Sequence, residues 1–438
     1  MNRHRCKTYP RGILFLLMTL FHPLAAVYAV ESLSQSLDVA TAVETAVRDN
    51  PNLAEMQMRY EAMSQIPSQV GALPDPVVNL NAMNLPVDTF DRAQEPMTQL
   101  QLGFRQSFPF PGKLGLRQAV AEHEADAAGH LVDEVRLQLV RNVKSKWWQL
   151  YYMDRALETV TSNKALLRQF IAVAQTKYQT GKGLQQDVLL AQLELSKLMD
   201  QQIQLESIRL GQAIRLNILM DRSPQVAIVV PDRVSKEMPV LISEIELYRK
   251  AELARPLLKQ METMVSAARS RLSLAKRDYY PDFSVGMTYG DRTGDYPQPR
   301  GGARADFLSV MVGIKVPLYA KRKQSKAVTQ RSLEVQGNRY ALLDERGLVK
   351  AAIALSVNDY NTAKQQFALF ETGIVPQAQL TVASMLAGYQ VSEVDFLNLV
   401  RSQMTLFNYE LQYWKTLSEA NQALARLEAA VGQENIHE

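Results

Sequence analysis

Four stretches of the chain alternate apolar and polar residues with a period of two, the pattern of a strand with two unlike faces. In 77–85, Val78, Leu80 and Ala82 alternate with Asn79 and Asn81. In 98–108, Leu100, Leu102 and Phe104 stand against Gln99, Gln101, Gly103 and Arg105. In 283–290, Phe283, Val285, Met287 and Tyr289 alternate with Ser284, Gly286, Thr288 and Gly290. In 307–316, Leu308, Val310, Val312, Ile314 and Val316 alternate with Ser309, Met311, Gly313 and Lys315. Each is about the 9–11 residues that a tilted strand needs to cross a bilayer. The polar face is small or amide-bearing, as suits a wet lumen. A half-buried soluble sheet alternates in the same way, so the membrane reading leans on the rest of the chain. The strands pair as hairpins, and their connections, 86–97 and 291–306, are long and polar, as outward-facing loops of an outer-membrane barrel are.

The intervening segments read as helices. No proline occurs between Pro111 and Pro224, and Leu114–Lys177 predicts one helix, on the order of 95 Å long at 1.5 Å per residue. A matching helix is expected to start after Pro317 and run towards Tyr389, kinked where Gly373 and Pro376 interrupt it. Leu184–Asp221 and Val394–Gly432 predict antiparallel return helices. Spacings of three and four among Val188, Leu189, Leu193, Leu195 and Leu198 suggest coiled-coil-like packing. Helices this long do not fit a compact globule.

The chain is also written twice. Ala46–Leu53 recurs at Ala251–Leu258, Pro74-Asp75 at Pro281-Asp282, Pro109 at Pro317, and Tyr178–Gln192 at Tyr389–Gln403. The offset between copies drifts only from 205 to 211 residues. We divide the chain into a leader (1–29), a first repeat (30–220), a linker (221–242), a second repeat (243–432) and a tail (433–438). The linker carries Pro224, Pro231 and Pro239, and its apolar run 226–230 reads as a strand or a packed loop.

Composition sharpens this picture. Arg3, Arg5, Lys7 and Arg11 precede an apolar run at 12–21, too short to span a bilayer, and Val27–Ala29 has the small residues of a cleavage site. A signal peptide removed after Ala29 is expected. The whole chain has 49 basic and 45 acidic residues, and the leader's four basic residues account for the difference. A balanced remainder argues against a nucleic-acid partner. The lone Cys6 departs with the leader, which leaves no disulfides or thiol chemistry. If the rest of the chain enters a membrane, it does so as strands.

Four strands cannot close a barrel. The smallest spanning barrels use about eight, and an open edge in lipid strands its backbone groups at several kcal/mol each. Copies must therefore pool strands: two copies give about eight, with a lumen filled by side chains, and three give about twelve, with room for a passage.

The residues resemble the TolC-type outer-membrane efflux factors. The resemblance rests on the Ala46–Leu53 start, on QSFPFPGK at Gln106–Lys113 with its echo at Ile314–Lys321, on the two Tyr-Gln turns, and above all on the duplicated order. It covers nearly all of the chain after the leader. It implies a mainly α fold with a β-barrel contribution: a homotrimer with a strand barrel in outer-membrane lipid and a helical barrel in the periplasm. It also implies docking to a periplasmic adaptor and to an inner-membrane pump. FPFPGK resembles the branch paired with RND-type pumps that export heavy-metal cations. The acylated N-terminal cysteine of many relatives is absent here. The family's turn glycine is Ser392 in the second repeat, and the acidic pair beyond that turn is replaced by Asn398 and Arg401.

The two turns are expected at the periplasmic tip. Asp187, Glu393 and Asp395 would ring a constriction and favour cations, although acids near helix N-termini also suit the helix dipole. Tyr178, Gly181, Lys182, Gly183, Tyr389 and Ser392 are the expected adaptor contacts, while glycines there also serve turn geometry. His123 and His130 lie two turns apart and read as exposed helix residues, and Met56, Met58 and Met63 as core filler. No metal site, cofactor or catalytic residue is expected; Gly181-Lys182-Gly183 lacks the spacing of a phosphate loop. The alternatives are the same duct serving drugs or type I protein secretion, and a periplasmic coiled-coil scaffold without a pore.

Overall fold

The computed structural model describes residues 36–434 together with Ile436 and His437, so the leader read at 1–29 lies outside the described residues. Asp38 opens α1 (Val39–Asp49), its carboxylate accepting the Thr41 N–H at 2.7 Å. Asn50 then breaks the helix. Its side chain accepts the N–H groups of Asn52 and Leu53 and caps α2 (Pro51–Ser64), where Pro51 sits at a helix start that tolerates its missing N–H. The motif at 46–53 is thus a break between two helices. After α3 (Ile66–Gly71) come β1 (Val77–Met83), β2 (Gln99–Phe108), the 67-residue α4 (Lys113–Gln179) and α5 (Gln185–Leu219). Among the described residues, no helix is long and apolar enough to cross a membrane.

The second half repeats the order. α6 (Glu244–Ala254), Arg255 and α7 (Pro256–Arg277) reproduce the break, followed by β3 (Asp282–Asp291) and β4 (Phe307–Lys315). Here the matching helix departs from expectation. It begins only at Gln324 as α8 (Gln324–Leu369), and it is interrupted by one π-helical turn, Phe370–Ile374, before α9 (Val375–Gln390). Pro376 has no N–H to give the preceding turn, and widening that turn around Gly373 absorbs the lost bond. α10 (Phe396–Val431) ends at Gly432 with φ 85°, and a Cβ there would lie 2.8 Å from the Arg255 Cα.

The strands form one antiparallel sheet in the order β1-β2-β3-β4, with the outer edges of β1 and β4 unpaired among the described residues. Register keeps the faces apart. Val78, Phe104, Met287 and Val310 form one rung; Leu80, Leu102, Tyr289 and Leu308 form the next. Leu80 is 79% and Leu308 66% exposed, so this apolar face has no cover among the described residues. The opposite face carries rungs such as Asn79, Gly103, Thr288 and Ser309.

The two hairpins share one register. Moving β1 by 207 and β2 by 208 residues turns the pair Met83↔Gln99 into Gly290↔Phe307, which is a pair of the second hairpin. The helical part is held by separate cores. One, around α4, packs Trp147 against Tyr151 with ring centroids 5.8 Å apart and seals α1 and α5 onto it. The linker run adds Ile228 and Val230 to that core as an irregular segment rather than a strand. On α5, Val188 and Leu198 are buried, whereas Leu189 and Leu193 remain more than half exposed.

Candidate functional site

The repeats pack together along α4, α7 and α10, and two of their meeting places carry the motifs that stood out in the sequence. The first is the strand-to-helix junction. Past β2 the chain turns through Pro109–Gly112, and the Phe110 ring stacks on Tyr280 at 4.6 Å and 15°. The Phe110 N–H donates to Asp282 Oδ1 at 2.9 Å. Gly112, at φ 86°, makes the left-handed step that starts α4. Lys113 then points back into the junction with its side chain only 4% exposed. Its ammonium donates to Asp282 at 2.9 Å and to the Tyr280 carbonyl at 3.0 Å, and lies 3.4 Å from Asp278. Sequence reasoning used FPFPGK as a mark of resemblance and gave Lys113 no partner. The signal was present in the Pro-Asp pair that recurs at Pro281-Asp282.

The second place is the helical tip. Thr180 caps the end of α4 and Val391 that of α9, in turns of the same form. The Lys182 N–H donates to the Lys177 carbonyl at 2.8 Å, and the Glu393 N–H to the Gly388 carbonyl at 2.9 Å. Each turn needs one left-handed residue. In the first it is Gly181 at φ 73°; in the second it is Ser392 at φ 68°, a strained conformation for a residue with a Cβ. Lys177 ties the turns together, donating to the Tyr389 carbonyl and, at 3.0 Å, to Ser392 Oγ. It also lies 4.4 Å from the centre of the Tyr389 ring.

The expected site residues separate here. Tyr389 is buried against Phe396, whereas its counterpart Tyr178 is 47% exposed. Gly181 and Lys182 are exposed; Gly183 is half-buried, and a Cβ on it would come within 2.9 Å of the Lys177 Cβ. Of the acids, Asp187 and Asp395 lie near enough to interact. Burial pushes the Asp187 carboxyl above the usual aspartate range and the Asp395 charge adds to this, against a hydrogen bond from the Leu184 N–H and the pull of Lys177. Asp395 and Glu393 are exposed.

Elsewhere, Met56 and Met63 line a cleft of about 150 Å³ with Met264, and Met58, 57% exposed, is not part of it. His130 lines a cleft with Asp133 and Arg136. Among the described residues no group of three or more His, Cys, Asp or Glu is placed to hold a metal ion.

Against this geometry, the family profile of the outer membrane efflux proteins matches residues 42–220 and 247–433, one stretch in each repeat. No curated protein matches the chain. Solved structures share the fold. The outer-membrane channel OprN is 16% identical, with TM-score 0.75, over 90% of this chain and 89% of its own. VceC of Vibrio cholerae is 17% identical, with TM-score 0.74, over 90% and 96%. CusC is 15% identical, with TM-score 0.76, over 92% and 96%. With both repeats matched and a four-stranded sheet set on long helices, this chain belongs to the outer membrane efflux protein family: it is a non-enzymatic efflux channel of the outer membrane whose helices reach into the periplasm.

Proposed function

We propose that three copies of this chain form the exit duct of a tripartite efflux system, receiving heavy-metal cations from an RND-type inner-membrane pump through a periplasmic adaptor. The observation that carries the assembly is the open sheet, whose bare apolar face calls for lipid while its two free edges cannot stand unpaired there. The helices support it. α5 packs on α4, α4 on α10 and α10 on α8, so α5 and α8 flank the protomer. Both outer helices carry uncovered apolar side chains, among them Ile203 and Leu210 on α5 and Tyr340 and Leu343 on α8. Edge meeting edge three times closes strands and helices together.

The metal reading rests on the resemblance of FPFPGK to the heavy-metal branch and on the acids of the tip. In this reading Asp187, Glu393 and Asp395 of three copies ring the periplasmic entrance and favour cations. The exposed turn residues Tyr178, Gly181, Lys182 and Ser392 take the adaptor, with Gly183 shaping the turn. Growth of a deletion strain on copper, zinc, cobalt and a drug panel tests the cargo. Sensitivity confined to metals supports it; sensitivity confined to drugs assigns the duct to drug efflux. Single-channel conductance tests the ring, since neutralising the three acids should lower cation preference, and unchanged selectivity removes that role.

A further inference from the structure

The junction that Lys113 closes has a second copy with nothing in it. Adding 208 carries Pro109, Phe110 and Lys113 onto Pro317, Leu318 and Lys321. Subtracting 207 carries Tyr280 and Asp282 onto Leu73 and Asp75. In the first junction these groups meet within one chain, because β2 lies beside β3. In the second they sit on opposite edges, Lys321 beyond β4 and Asp75 before β1. Leu318 is 81% exposed, Tyr319 77% and Leu73 50%, and among the described residues neither Lys321 nor Asp75 has an ion pair. The turn 317–326 holds four basic residues, Lys321, Arg322, Lys323 and Lys326, and no acid, so the group it lacks is an anion.

The same offsets act on the β2–β3 ladder. Gln106↔Val285, Phe104↔Met287 and Leu102↔Tyr289 become Ile314↔Val78, Val312↔Leu80 and Val310↔Ala82. These three pairs set apolar against apolar on one face, and only at the end of that face does an apolar residue meet a polar one, Leu308 against Asn84. A slip by one residue would place Ile314 against Asn79 and send one strand's apolar set into the lumen.

We propose that β4 of one copy pairs with β1 of the next in this register, and that Asp75 of that neighbour receives Lys321 as Asp282 receives Lys113, while Leu318 covers its Leu73. The occupant of the empty junction is therefore a second copy of this chain, and the site is complete only between copies. The inference rests on the trimeric reading given above and adds to it one register and one ion pair.

Cysteine pairs test the register, since Cys6 is the only native cysteine. Directly opposed residues on antiparallel strands lie within disulfide reach, at Cα separations of about 4.5–5.5 Å. The trimer carrying Ile314→Cys with Val78→Cys should run as covalently linked copies on a non-reducing denaturing gel, and the trimer carrying Ile314→Cys with Asn79→Cys should not. Linking by the second pair, or by neither while the trimer persists, overturns the inference and leaves the trimer standing. A monomeric wild-type protein overturns both. Charge exchange tests the clasp: Asp75→Lys should lower the temperature at which trimers dissociate in detergent, and adding Lys321→Asp should restore it. Absence of rescue overturns the clasp. So does loss of bound anionic phospholipid with Lys321→Asp alone, which would assign the basic turn to lipid headgroups.

Discussion

Two junctions with aligned residues end in opposite conditions. At the first, Phe110 stacks, Lys113 is buried and α4 begins at once. At the second, Leu318 and Tyr319 face outward and α8 begins only at Gln324. The aligned residues differ at the decisive step, where Pro111-Gly112 is replaced by Tyr319-Ala320 and the left-handed turn is lost. The larger cause is topological. The first junction finds its aspartate on the adjacent strand of its own sheet, whereas the second lies at a sheet edge. A duplicated sequence therefore gives one internal contact and one that waits for a neighbour.

Lys113→Ala is expected to break this contrast most. It leaves the Tyr280 carbonyl without that donor and Asp282 with only the Phe110 N–H, at a cost of about 2–3 kcal/mol. Guanidinium unfolding in detergent would show it, whereas Lys321→Ala should act on trimer dissociation instead. Gly112→Ala forces a Cβ into the left-handed region and is expected to cost about 1–2 kcal/mol in the same assay. Ala320→Gly in the second junction should stay within about 1 kcal/mol.

The tips carry a smaller version of the same contrast. Gly181 takes its left-handed conformation freely, while Ser392 is held in it with its hydroxyl bound by Lys177. Ser392→Ala keeps the strain and loses the bond, and should destabilise the tip by about 1 kcal/mol, read by hydrogen exchange across 388–396. Ser392→Gly trades one effect for the other and should come out near neutral. The smallest effect concerns pH. The Asp187 carboxyl titrates above its ordinary value, so the folded tip holds its proton more tightly than the unfolded chain does. Tip stability should fall as pH rises from the ordinary aspartate value through the folded one, and Asp187→Asn should flatten that slope in the exchange experiment.

Some features could be read directly. Alternation exposed the strands because a two-faced sheet imposes its period on the residues, as at 283–290. Proline and glycine bounded the helices because they restrict or free φ, as at Pro111 and Gly181. The interruption at Gly373 and Pro376 was readable as a break, but not as a π-turn, since either distortion relieves the missing N–H. The acids of the tip were readable as a set, yet only Asp187 and Asp395 are brought into electrostatic contact. Nothing in the spacing said that Tyr178 would be exposed and Tyr389 buried, because aligned positions on different helices meet different neighbours.

By itself, the sequence determined what is local or periodic: strand faces, helix lengths, helix breaks, and the duplication with its small drift in offset. Only the tertiary structure decided which copy of each repeated residue finds its partner. Lys113 reaches Asp282 across 169 positions of the chain because two strands happen to be adjacent in the sheet. Adjacency is a property of the closed backbone and not of any window of residues, and an edge strand leaves the same chemistry without its counterpart.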